Sequence, residues 1–109
     1  MSDEIIRLSD NPITPADHRR LESYGAHVIQ HGWATRFTWS EEDGDPRFDI
    51  FRGGADEWLA VRIGRHREKH EFFAVDSEGA EIVAGTIDHV MARLDAFLQD
   101  GGDGLPPGA

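Results

Sequence analysis

The stretch Gly64-Arg65-His66-Arg67-Glu68-Lys69-His70 concentrates side chains that can do chemistry. His66, Glu68 and His70 alternate, so on an extended strand two imidazoles and a carboxylate would share one face, a donor set for a divalent metal. Arg65, Arg67 and Lys69 interleave with them and would repel a dication. They suit an anion instead, but the run lacks the glycine pattern of a phosphate loop, and neither a Walker loop nor Gly-x-Gly-x-x-Gly occurs in the chain. The run therefore reads as a solvated hairpin tip, with Arg65, His66, Arg67, Lys69 and His70 as a basic rim and no metal.

Other chemistries find less. There is no cysteine, which excludes thiolate catalysis, disulfides and sulfur-based zinc sites. No serine sits in a Gly-x-Ser-x-Gly elbow, and His-Glu-x-x-His is absent. Adjacent acids such as Glu41-Glu42 and Asp43-Asp45 carry no specificity in a chain with 21 acidic residues. His27, His31 and His89 lie on or beside helices, as surface or boundary residues. The expectation is a non-catalytic protein without cofactor.

Acids outnumber Lys and Arg by 21 to 11, for a formal charge of -10. Affinity for nucleic acid or an anionic membrane grows with basic contacts, so this balance argues against both. The acidic N-terminus has no long apolar run, and no later stretch reaches membrane-spanning length. The expectation is a cytoplasmic protein. A chain of 109 residues with 39% hydrophobic content suits one domain, residues 1–100, with 1–12 as an extended N-terminal segment. The Gly/Pro-rich end, 101–109, has little to bury and is expected to be disordered.

Two helices must position whatever lies between them. Thr14 caps the first, Pro15 suits its first position, and Asp17 favours its N-terminus. Leu21, Tyr24 and Val28 then form one stripe, ending near His31-Gly32, with Gly25 a weak point. Thr86 caps the last helix, where Ile87, Val90, Met91, Leu94, Phe97 and Leu98 recur at helical spacing until Gly101-Gly102. Between the helices the period drops to two. WATRFTWS, RFDIFR, EWLAVRIG, HEFFAV and AEIVA, separated by turn-forming clusters, predict five short antiparallel strands. The predicted fold is two-layer α+β: an antiparallel meander of four to five strands with both helices on one face, in the order α-β-β-β-β-β-α. Many small adaptor, immunity and inhibitor proteins share this layout, an analogy of architecture that fixes no activity.

Pairing Ser40 with Arg47 and Arg52 with Glu57 aligns Trp39 with Phe48, Phe37 with Ile50, Ile50 with Leu59, and Phe48 with Val61 on a core face. Phe73 then meets Ile82 there. The opposite face receives Arg36, Phe51, Trp58, Arg62 and Phe72, beside polar Thr38 and Asp49. Aromatics flanked by arginine have the composition of binding hot spots. This helix-free face is the predicted interface for another protein or a second copy in a homodimer, unless the N-terminal Ile5, Ile6 and Leu8 cover it. Two alternatives stand beside this adaptor, inhibitor or regulatory module. One is an inhibitor of nucleic-acid machinery that presents carboxylates in place of phosphates. The other is weak single-stranded nucleic-acid or small-ligand binding on the sheet. The parity of residues 70–75 is undecided at this level, since Phe72 and Phe73 are adjacent.

Overall fold

The computed structural model describes residues 13–99. Residues 1–12, expected to be an extended segment, and the tail 101–109, including Ile5, Ile6, Leu8, Gly101 and Gly102, lie outside the described residues. Helix α1 spans Pro15–Gln30, followed by β1 (Arg36–Glu42), β2 (Asp45–Arg52), β3 (Trp58–Arg65), β4 (Phe72–Val75), β5 (Glu81–Gly85) and helix α2 (Ile87–Gln99). All five strands form one antiparallel sheet in sequential order. This is the expected α+β meander between two helices.

Local chemistry sets the element ends. The Thr14 hydroxyl accepts the Asp17 N–H at 3.1 Å and Pro15 occupies the first turn, which starts α1. The Thr86 hydroxyl accepts from the His89 N–H in the same way at the start of α2. Asp43 and Gly44, both at positive φ (55° and 84°), make the tight turn joining β1 to β2. That hairpin is tighter than expected from EEDGDP, because Glu41, Glu42, Asp45 and Pro46 are paired strand residues. At the other end β1 is shorter than expected. Trp33 precedes the strand and stacks on His31 at 4.8 Å.

Leu21, Tyr24 and Val28 of α1 and Ile87, Val90, Leu94 and Leu98 of α2 are buried against Phe48, Ile50, Val61, Ile63, Phe72, Ala74 and Val83 of the sheet. Met91 and Phe97 pack against this core while only partly buried. Helix α1 lies over β1, α2 lies over β4 and β5, and the helices touch one another. Gly25 permits the close approach of α1. A Cβ there would stand 2.5 Å from Phe37 Cδ2 and 2.8 Å from Phe48 Cζ. No helix among the described residues is long and apolar enough to cross a membrane.

Register differs from expectation in two places. Strands β1 and β2 pair as predicted, with Ser40 opposite Arg47, Trp39 opposite Phe48, Phe37 opposite Ile50 and Arg36 opposite Phe51. Across the next hairpin, Phe48 meets Ile63 and Ile50 meets Val61, then a bulge shifts the pairing so that Phe51 meets Leu59 and Arg52 meets Trp58. Leu59, Ala60 and Val61 are consecutive apolar residues. The small Ala60, left without its own partner and fully buried, lets Val61 and Ile63 keep the core positions. In β4, Ala74 pairs with Ile63 and with Val83, so Val83 takes the buried core position, while Ile82, at the irregularity in the register, packs against the core only partly buried.

Candidate binding face

Cross-strand partners share a face and neighbours alternate, which defines the helix-free side of the sheet. It carries Arg36, Thr38, Ser40 and Glu42 of β1, Asp45, Arg47, Asp49 and Phe51 of β2, Arg62 and Gly64 of β3, and Phe73 and Val75 of β4. Leu59 of β3, which was expected on the core face, joins them, because the bulge brings it opposite Phe51. The Arg36 guanidinium lies over the Phe51 ring, 4.2 Å from its centroid, and its Nε donates to Glu57 at 2.8 Å. This is the predicted Arg36–Phe51 neighbourhood. Arg62 also falls on this face, where its Nε and Nη2 donate to the two carboxylate oxygens of Asp49 at 2.8 and 3.1 Å. The Ser40 hydroxyl donates to Asp49 as well, at 2.8 Å. The hydrogen bond to Asp49 raises the Arg62 pKa above its ordinary value, against partial burial that acts the other way.

At the far end of the face, Arg47 lies over Phe73 (5.2 Å), and His66 stacks on the same ring with centroids 4.4 Å apart. Gly64 is the reason they fit. A Cβ there would stand 2.8 Å from both Arg47 Nη1 and Phe73 Cζ. Arg47 Nε donates to Glu42 at 3.1 Å, and Arg67 Nε donates to Asp45 at 2.7 Å. A depression of about 260 Å³ opens here among Arg47, Arg65, His66, Arg67 and Lys69, with Asp45, Glu68 and Phe73 completing its wall.

Two members of the predicted aromatic patch are elsewhere. Phe72 is buried in the core at 5% exposure, opposite Arg65, whose guanidinium lies over its ring. Phe73 takes the outer place instead. The physical reason is Gly64, which stands opposite Phe73: a Cβ there would come within 2.8 Å of the Phe73 ring, so the outer side has room for that ring and alternation sends Phe72 into the core. Trp58 is displaced by the bulge. Opposite Arg52, it lies on the helix side of the sheet, away from Phe51. The outer face thus holds two separate rings, Phe51 and Phe73, rather than a contiguous trio.

The predicted rim divides too. Gly64 and Arg65 belong to β3, with Arg65 on the helix side and His66 on the outer face. Arg67, Glu68, Lys69 and His70 are exposed in the turn, which is closed by His66 N–H to Glu71 O (2.8 Å) and His70 N–H to His66 O (3.1 Å). No group of three metal-ligating side chains occurs among the described residues.

Three ion pairs on this face have a common orientation. Side-chain exposure is 51% for Arg36 against 27% for Glu57, 31% for Arg62 against 3% for Asp49, and 43% for Arg67 against 19% for Asp45. The carboxylate sits inside and the guanidinium outside. In these three pairs the charge turned toward solvent is the guanidinium's. Arg47–Glu42 has the reverse arrangement, 11% against 52%.

Sequence reasoning placed Asp49 on this face but not its pairing with Arg62, and it missed Arg47, Phe73 and Gly64 as parts of this arrangement. A glycine inside the apolar run of β3 was the available signal for close approach. The Asp49–Arg62 pair was hidden by the bulge. Comparisons with protein-family models, curated proteins and solved structures find no match for this chain.

Proposed function

We propose that the protein is a small non-catalytic binding module that docks an acidic segment of another protein on the helix-free face of its sheet. The carrying observation is the row of ion pairs whose guanidiniums face outward while their carboxylates face inward. Arginine next to aromatic rings is the composition that dominates interface energetics. Guanidiniums turned outward attract an acidic partner, while the -10 charge of the whole chain repels one that approaches elsewhere. Two copies meeting face to face would oppose guanidinium to guanidinium, so this face suits a different chain.

The other readings have less support. Phe51 lies under Arg36, and Phe73 under Arg47 and His66, so these rings are not bare platforms for stacking bases. Exposed acids such as Glu42 and Asp43, and Asp56 and Glu78, occupy hairpins at opposite ends of the sheet rather than one stripe that could imitate nucleic acid.

Affinity capture from the native host tests the proposal. Arg36→Ala and Phe51→Ala should each lose the captured partner, while Trp58→Ala, on the other side of the sheet, should retain it. Capture lost with Trp58→Ala but kept with the other two would refute the proposal.

A further inference from the structure

The sheet is open, so β1 and β5 are its edges. Natural edges are blunted by shortness, bulges, proline or charge, because an unpaired edge is a template for another strand. Strand β5 has five residues, an irregular register with β4, and ends at Gly85. Strand β1 is different. Its seven residues, Arg-Phe-Thr-Trp-Ser-Glu-Glu, contain no proline, and its register with β2 is unbroken. Among the described residues, no strand pairs with its outer side.

On the helix-free face the order of side chains along β1 is self-complementary. The residues there are Arg36, Thr38, Ser40 and Glu42. An antiparallel copy centred on Trp39 would set Arg36 opposite Glu42, Thr38 opposite Ser40, and Trp39 opposite itself. On the helix side the same pairing sets Phe37 opposite Glu41. Opposite charges and paired hydroxyls are the cross-strand combinations that stabilise a sheet. Shifting the strands by two residues removes both ion pairs, and a parallel alignment sets Arg36 beside Arg36.

The groups are poised for this pairing. The side chains of Arg36 and Glu42 are 51% and 52% exposed. At the centre, the Trp39 ring is already fixed by stacking on His18 (centroids 4.0 Å, planes 8° apart) and by donating to Glu22 at 2.9 Å. Little side-chain freedom would be lost there on association.

We propose that β1 pairs antiparallel with β1 of a second copy about a two-fold axis at Trp39, joining the two sheets into one and the two candidate binding faces into a continuous surface. Each interface carries two Arg36–Glu42 pairs, one on either side of the axis. The proposal uses the strand edge and does not depend on what the face binds.

The charge arrangement provides the test. Light scattering over a concentration series should give the mass of two chains for the wild type. Arg36→Glu places two acids opposite each other at both ends of the interface, and Glu42→Arg does the same with two cations, so each variant alone should be monomeric. Mixed together, the two variants should form a heterodimer, because every facing pair is again of opposite sign. A monomeric wild type across the series, a dimer formed by either variant alone, or a folded mixture that stays monomeric would overturn the proposal. Amide exchange in the wild type is an independent measurement that does not rely on the variants folding. Residues 36–42 should gain protection with concentration while residues 81–85 do not, and equal behaviour of the two edges would overturn it.

Discussion

The Asp49–Arg62 pair allows a prediction whose sign depends on unequal burial. Asp49 is almost wholly enclosed, with 3% side-chain exposure, while Arg62 retains 31%. Removing the arginine leaves a carboxylate that cannot reach water and keeps only Ser40 as a side-chain donor. Removing the carboxylate leaves a guanidinium that can turn outward. Arg62→Met keeps the apolar stem and deletes the charge. Breaking a buried pair in this way costs about 3–5 kcal/mol. Asp49→Ala should cost about 1–2 kcal/mol, because the orphaned donors rehydrate. A domain of this size has about 5–15 kcal/mol in total, so Arg62→Met removes a large share and should lower Tm by roughly 12–20 °C.

The double variant, Asp49→Ala with Arg62→Met, should be more stable than Arg62→Met alone, since the stranded carboxylate is gone. Urea denaturation of the four proteins, with unchanged m-values, measures the cycle. If Asp49→Ala costs as much as Arg62→Met, or if the double variant is the least stable, then burial does not set the asymmetry and the reasoning is wrong.

Two further predictions concern the helix layer. Gly25→Ala gains about 1 kcal/mol of helix propensity. It also drives a methyl group into Phe37 and the fully buried Phe48 ring, an overpacking that costs about 1–3 kcal/mol, so the variant should be less stable by thermal denaturation. A rise in Tm would show that α1 can lift from the sheet at little cost. Tyr24, the sole tyrosine, donates its hydroxyl to Asp95 at 2.9 Å, and burial first, then Asp95, raises its pKa far above the ordinary 10.0. Above that pH the unfolded chain releases this proton and the folded one keeps it. The contribution to stability is therefore complete below about pH 10 and declines above it, by up to about 1.4 kcal/mol per pH unit. Tyrosinate absorbance should stay low in the folded protein beyond pH 10 and appear on unfolding, and Tyr24→Phe should remove this part of the alkaline slope. Ionisation of the folded protein near pH 10 would contradict the buried hydrogen bond.

Much of this fold is legible along the chain because its signals are local. Capping by Thr14 and Thr86 depends on a hydroxyl within three residues of the N–H it receives, and the stripes Leu21-Tyr24-Val28 and Ile87-Val90-Leu94-Leu98 depend on helical period alone. The Asp43-Gly44 turn sets the first hairpin, so the pairs Phe37–Ile50 and Trp39–Phe48 and the Arg36–Phe51 contact follow from the sequence with no knowledge of the rest.

Tertiary structure decided what period two leaves ambiguous. Trp58, Leu59, Ala60 and Val61 are apolar at both parities, and so are Phe72 and Phe73. In such runs the core selects the register. Val61 and Ile63 had to meet Ile50 and Phe48, which forced out Ala60 and carried Trp58 to the helix side. Phe72 and Phe73 were sorted by the gap that Gly64 leaves on the neighbouring strand, which admits the Phe73 ring to the outer side. The candidate face inherits both outcomes. Arg36, Phe51 and Arg62 belong to it by simple alternation, whereas its second ring, Phe73, and the buried Asp49–Arg62 pair exist only because a bulge and one glycine, Gly64, settle which side chains lie on which side of the sheet.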